Sequence, residues 1–489
     1  MRIPFPKKIP LGPVLMVLSG EVCVQLIEGT DPIFAVLMLV AQACAIAAFN
    51  FMGGMTHMTG AFCLFAILPI VTVPELAHVL LGQPGDFNLV HPLETAGVCA
   101  VFFACVMVSA RMVSLMRHPN PLFDRIKFSV LESRIISIVS CIVALCTYIK
   151  IYTLDGPLED GSLLAALNHF CPLLIASSVM MATYVRIAVT SGRSVMNGFV
   201  AFLLILAIVP GMLFASKEGI LTPLLCWLVV VAASRHRFGW SGIIGLLAVL
   251  FVVWVYVYPF SQNARVPIRA ARTLFEKTDL IVDYFRNPTD FPDVTSTGDE
   301  SAEFGSSAPK VGIVSRYSTL PSIGMLIDAD QKLGYTSIER YAPTLVGFVP
   351  HALWPDRPVS ISSNELGHKA GFRLGAADTT TGIAIGTPAL YFDLGGWLAL
   401  IVYTLLCFAL FFFIGVRIVG PSTTGIWGLV LIGTEANMAG NASPEGMFAV
   451  MIMYPAIFIA TTAVLKTTSN AAEALITRPS AIRWSAKPR

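Results

Sequence analysis

GGWLALIVYTLLCFALFFFIGV, residues 395–416, decides what kind of molecule this is: twenty-two consecutive residues without a charged side chain. A helix of about 20 largely apolar residues crosses the hydrocarbon layer of a bilayer. Comparable runs lie at 11–28, 31–50, 59–81, 94–115, 132–153, 164–187, 195–214, 219–234, 241–259, 423–439 and 446–466, so about twelve spans are expected. The whole chain agrees. Of its 489 residues 55% are apolar and 13% charged, against roughly a quarter charged in soluble domains. The expectation is an all-α polytopic membrane protein.

Working outward from that run, the sequence preceding it is the one long polar interruption, Pro259 to Leu394, which carries 12 basic and 15 acidic side chains. The chain therefore divides into N-terminal spans (1–258), a large loop (259–394), C-terminal spans (395–466) and a tail (467–489). Short connections containing Lys7 and Lys8, Arg111 to Lys127, Arg186 to Arg193, Arg235 to Arg237 and Arg417 alternate with connections poor in Lys and Arg. The positive-inside rule then puts both termini in the cytoplasm and the large loop on the far side. Met1 to Lys8 leads into a long apolar run without a small-residue cleavage site, which reads as a retained first span. All ten cysteines lie in or beside apolar segments, so no disulfide framework is expected in the exported loop. A net charge of +2 and no basic tract interleaved with aromatics argue against nucleic-acid binding.

Inside the loop, residues 266–286 repeat apolar side chains every three or four positions. Such a helix lies flat on the outer membrane boundary or packs on the loop's own core. Residues 287–309, rich in Pro, Asp, Ser, Thr and Gly, form a connector. Helical patterns resume over 311–332 and 336–348. His351 to Pro358 is punctuated by prolines that disfavour helix.

The chemistry-bearing residues gather on the loop side. Arg316 stands alone on an apolar, small-residue helix, and its planar fork suits a phosphate, or pairing with Asp328 or Asp330. Arg357 is either a second cation for the same anion or a solvated turn residue. Lys217, in a span-end Lys217-Glu218-Gly219, is either a ligand or a snorkelling anchor. His351 and His368, the loop's only histidines, and Glu365, Asp378 and Asp393 are candidate bases or structural groups. Glu435, Asn437, Asn441 and Glu445 cluster at another span end. No Walker-type phosphate loop, His-Glu-x-x-His, Cys-x-x-Cys or nucleophile elbow occurs in a fitting context.

Ser315-Arg316, Phe348-Val349-Pro350, Leu353-Trp354-Pro355-Asp356-Arg357-Pro358, Asp378 to Thr381 and Tyr391 to Gly396, with Lys217-Glu218-Gly219 upstream, resemble the bacterial oligosaccharide repeat-unit polymerases, the Wzy-type O-antigen and exopolysaccharide polymerases. Two departures stand out: His351 follows the Val-Pro element where an arginine is common, and Ala389 precedes Tyr391 where an acidic residue is common. The resemblance implies a glycosyltransferase of the GT-C type in the bacterial inner membrane. It would move a growing glycan from its polyprenyl diphosphate carrier to a new lipid-linked repeat unit at the periplasmic face. It also implies Lys217, Arg316, Arg357, Trp354 and Tyr391 as substrate-binding residues, and His351, Asp393 and Arg316 as catalytic ones, with no cofactor or metal required. Polyprenyl-diphosphate-linked oligosaccharides and membrane lipids are the implied partners, with a chain-length regulator and a flippase as further ones. An O-antigen ligase and a lipid-linked glycan flippase share this topology and stand as alternatives.

Overall fold

The computed structural model describes residues 3–116, 121–123, 129–153, 163–271, 273–288, 291, 318–346, 354, 356, 358, 361, 363–372, 383–421, 426–439, 447, 450–451 and 454–463. Among the described residues all regular structure is helical, and the single bridge pair joins His57 to Pro421. The N-terminal helices are α1 (Leu11–Ile27), α2 (Pro32–Phe51), α3 (Met58–Ile67), α4 (Val73–Leu81), α5 (Pro92–Ser114), α6 (Val130–Tyr152), α7 (Leu163–Val189), α8 (Gly198–Leu213), α9 (Lys217–Ala233) and α10 (Trp240–Val252). The polar loop contributes α11 (Tyr258–Asn263), α12 (Arg265–Ala270), α13 (Leu274–Arg286), α14 (Leu320–Leu333), α15 (Ile338–Val346), α16 (Ser363–Lys369) and α17 (Thr387–Phe392). The chain returns through α18 (Gly396–Ile414), α19 (Ile426–Met438) and α20 (Tyr454–Ala463).

Among the described residues six helices are long and apolar enough to cross a membrane: Pro32–Phe51, Met58–Leu81, Pro92–Ser114, Val130–Ile151, Phe170–Val189 and Gly396–Val419. Each of the other expected spans also contains a helix, namely α1, α8, α9, α10, α19 and α20. Two of them show local causes for their length: α8 stops before Ala215, at positive φ, and α10 passes into the π-helical turn Val253–Val257.

The bundle is held by close approach of small side chains. Ala41, Ala45 and Ala48 recur along α2, flanked by Phe34, Met38 and Phe49, all buried, and α2 packs closely on α5. Small residues let membrane helices come near enough for dispersion to bind them, since apolar burial gives little drive between helices in lipid. An aromatic cluster ties α3 and α5 to α18. Phe62 and Phe411 lie 4.9 Å apart, and Phe102 meets Phe408 edge to face at 5.4 Å.

The loop docks on this bundle through a break in its third span. Within the π-helical turn Leu68–Thr72, the Val73 N–H bonds Leu68 O, and Pro74 has no N–H to give. The Pro69 carbonyl is left without a helical donor, and Thr319 N–H, at the start of α14, takes it at 3.2 Å. Two polar contacts continue the dock along α5: His91 Nε2 to Asp328 Oδ1 at 3.1 Å and Gln331 Nε2 to Glu94 Oε2 at 2.5 Å. Gly324 permits the approach, since a Cβ there would meet the Val90 carbonyl at 2.5 Å.

The amphipathic stretch is two helices rather than one. Thr273 and Glu276 form a capping box that starts α13 afresh, and Ala271 is extended. The buried Lys277 Nζ donates to Ile268 O at 3.1 Å, satisfying a carbonyl at the end of α12. Tyr284 packs on Phe260 and Phe291 and Phe285 stacks on Phe260, whereas Phe275 (76% exposed) and Val282 face outward. One side of α13 packs on Phe260 and Ile268 of the loop and on α8, and an apolar strip stays exposed.

Candidate functional site

The polar centre of the described loop is a clasp of charges where α14, α15, α16 and α17 meet. Its sequence signal is Asp330. Along α14 the buried positions run Ile323, Leu326, Ile327, Asp330, so a carboxylate occupies a core position of an amphipathic helix and needs a partner. That partner is Lys369, the last residue of α16, whose Nζ lies 2.6 Å from Asp330 Oδ1. The same ammonium pairs with Asp393 Oδ1 and donates to Thr336 Oγ1 at 3.0 Å.

Asp393 caps the C-terminus of α17 and collects the remaining donors. Thr336 N–H reaches its Oδ1 at 3.0 Å and its carbonyl at 2.9 Å, and the Tyr341 hydroxyl donates to Oδ2 at 2.8 Å. Both aspartate side chains are 0% exposed and Lys369 is 16% exposed. Chain reversals at positive φ make the meeting possible. Gly334 ends α14, and Gly395 and Gly396 turn α17 into α18. A side chain at Gly396 would strike the Tyr335 hydroxyl at 2.7 Å.

Two buried carboxylates share one ammonium, so the clasp reaches neutrality by holding one proton. Burial, reinforced by the adjacent Asp393, pushes the Asp330 carboxyl up to about 8, with Lys369 opposing. For Asp393 burial also works upward, but hydrogen bonds from Asp330, Lys369 and Tyr341 outweigh it and hold the group below the usual carboxylate range. Burial and the neighbouring Asp393 raise Tyr341 far above an ordinary phenol, so it serves as a donor. Chemically the cluster can store a proton and fix four helices. With no carboxylate surface exposed, it does not touch a substrate in this conformation.

The expected site residues are not brought together among the described residues. Asp393 lies at the heart of the clasp. Tyr391, two residues earlier, is fully buried against Phe102 and Phe408, and its hydroxyl meets Met447 Sδ at 3.4 Å, which makes it a core side chain. Trp354 is 42% exposed. Lys217 opens α9, its side chain being outside the described residues, as are Arg316, His351, Arg357, Asp378 to Thr381, Asn441 and Glu445. Glu365 pairs with Arg340, His368 lies exposed on α16, and Asp328 pairs with His91 and with Lys332. Glu435 is 0% exposed, and neither carboxylate oxygen has a hydrogen-bond partner among the described residues. The Asn437 side chain is outside the described residues.

Sequence reasoning missed Lys369 and Tyr341. Asp330 had a readable signal in its helical register, whereas Lys369 sits in a seven-residue helix too short to show one. Among the described residues no group of three or more His, Cys, Asp or Glu side chains is arranged to hold a metal ion. No family model, no curated protein and no solved structure matches this chain.

Proposed function

We propose that this protein is a membrane-embedded glycosyltransferase that polymerises polyprenyl-diphosphate-linked oligosaccharide repeat units, acting at the outer face of a bacterial inner membrane through about twelve spans. The supporting observation is the clasp. It ties both ends of the chain segment 331–393, which carries the Leu353 to Pro358 and Asp378 to Thr381 elements, to each other through buried ion pairs, while α14 docks on the bundle through Thr319, Asp328 and Gln331. A reacting group works only when its supporting shell is rigid.

In this reading Arg316, Arg357 and Lys217 grip the donor diphosphate. Negative charge grows on that leaving group as the glycosidic bond breaks, and fixed cations stabilise it. The acceptor hydroxyl loses its proton to His351, because Asp393 is already engaged by Lys369, Tyr341 and Thr336. Trp354, exposed on the loop, offers a face for sugar stacking. Purified protein incubated with lipid-linked repeat units alone should extend them, and Arg316→Ala should abolish extension. Strict dependence on a lipid A core acceptor would mark a ligase instead, and no transfer to either acceptor would end the transferase reading.

A second reading, a lipid-linked glycan flippase, is favoured by Glu75 and Glu435. Both carboxylates are buried inside apolar helices, where ionisable groups commonly mark transport pathways. An Arg316→Ala strain separates the two. Export of single units without polymerisation supports the enzyme, whereas lipid-linked units accumulating on the inner face support the flippase.

A further inference from the structure

We propose that the Asp330–Lys369–Asp393 cluster is a proton-operated latch: one proton shared by the two aspartates closes α16 and α17 onto α14, and its loss releases them. This holds whatever the protein's substrate. The geometry sets the charge count, two carboxylates at 0% exposure around a single ammonium. Asp330 Oδ2 is buried and meets no donor among the described residues, which leaves it as the acid's own O–H or as a bare charge.

Among the described residues the surrounding elements do not supply a replacement cation. From α15 the Tyr341 hydroxyl faces the pair, and Arg340 is turned outward to Glu365. From α5, His91 and Glu94 bond Asp328 and Gln331 elsewhere on α14, where Lys332 also pairs with Asp328. From α16 Lys369 is the charged group that meets the pair, and His368 lies exposed. The third span offers a backbone carbonyl, that of Pro69, at the far end of α14.

On opening, the Asp330 O–H bond breaks and its proton passes to water by way of the partly exposed Lys369 side. The closed state then carries an uncompensated buried charge, which separation of α16 from α14 relieves. The sign follows from linkage. The closed state binds the proton with an Asp330 value of about 8, against an ordinary value of 3.8 when open. Closure is therefore strongest in acid, weakens about tenfold per pH unit across that window and levels off above it.

Hydrogen exchange on the full-length protein in lipid nanodiscs reads this directly, with each rate divided by its intrinsic value. Peptides covering Tyr335–Tyr341 and Asn364–Phe372 should lose about a hundredfold in protection from pH 5.5 to 7.5 and change little above pH 8. Asp330→Asn, a neutral mimic of the acid, should keep the low-pH protection at every pH. A flat wild-type profile overturns the proposal, as does an Asp330→Asn protein that retains the wild-type slope. If that variant fails to fold, the wild-type profile alone decides.

Discussion

Among the described residues, two places bury carboxylates completely, and they treat them in opposite ways. At the root of the loop, Asp330 and Asp393 are surrounded by Lys369, Tyr341 and Thr336. In the interior of the bundle, Glu435 on α19 has no hydrogen-bond partner among the described residues. A buried charge left alone costs several kcal/mol, roughly as much as a domain's net stability can spare. The difference teaches that the loop's carboxylates are held by their partners as architecture, whereas Glu435, with no partner among the described residues, contributes little to the fold.

Lys369→Met is the strongest way to break the contrast. It leaves two buried aspartates without their cation and should cost about 3–5 kcal/mol, read as a fall in thermal unfolding midpoint and faster proteolysis of the loop. An unchanged midpoint would make the clasp incidental. Tyr341→Phe removes one hydrogen bond to a charged group and should cost about 1.5–3 kcal/mol, with Asp393 titrating at higher pH because a bond favouring its ionised form is gone.

Tyr391→Phe sharpens the division between core and site. The lost contact to Met447 Sδ is weak, so stability should change by less than about 1 kcal/mol and repeat-unit transfer should persist. A large loss of activity with intact stability would return Tyr391 to the site. Glu435→Gln should have the smallest effect on the unfolding midpoint, within about 0.5 kcal/mol. A drop comparable to that of Lys369→Met would reveal a strong partner and erase the contrast.

The bundle was legible because hydropathy is a local signal. Every expected span contains a helix, and the runs at 31–50 and 395–416 correspond closely to α2 and α18. The division of 266–286 into two helices depended on the Thr273 and Glu276 cap, a four-residue pattern inside a longer periodicity that hides it. The clasp was less legible, since its members come from four elements and meet only through tertiary docking. Lys369 lies 39 residues from Asp330 and 24 from Asp393. Asp393 drew attention through its place beside Gly395 and Gly396, yet its partners gave no sign in the sequence.

A double-mutant cycle between Lys369→Met and Asp393→Asn, carried out in the Asp330→Asn background so that a single pair is left, tests the clasp most directly. Interdependent partners in a buried ion pair should show a coupling energy of about 2 kcal/mol in thermal or denaturant unfolding. Losses that add to within about 0.5 kcal/mol would mean the two side chains do not hold each other, and the loop would need another root.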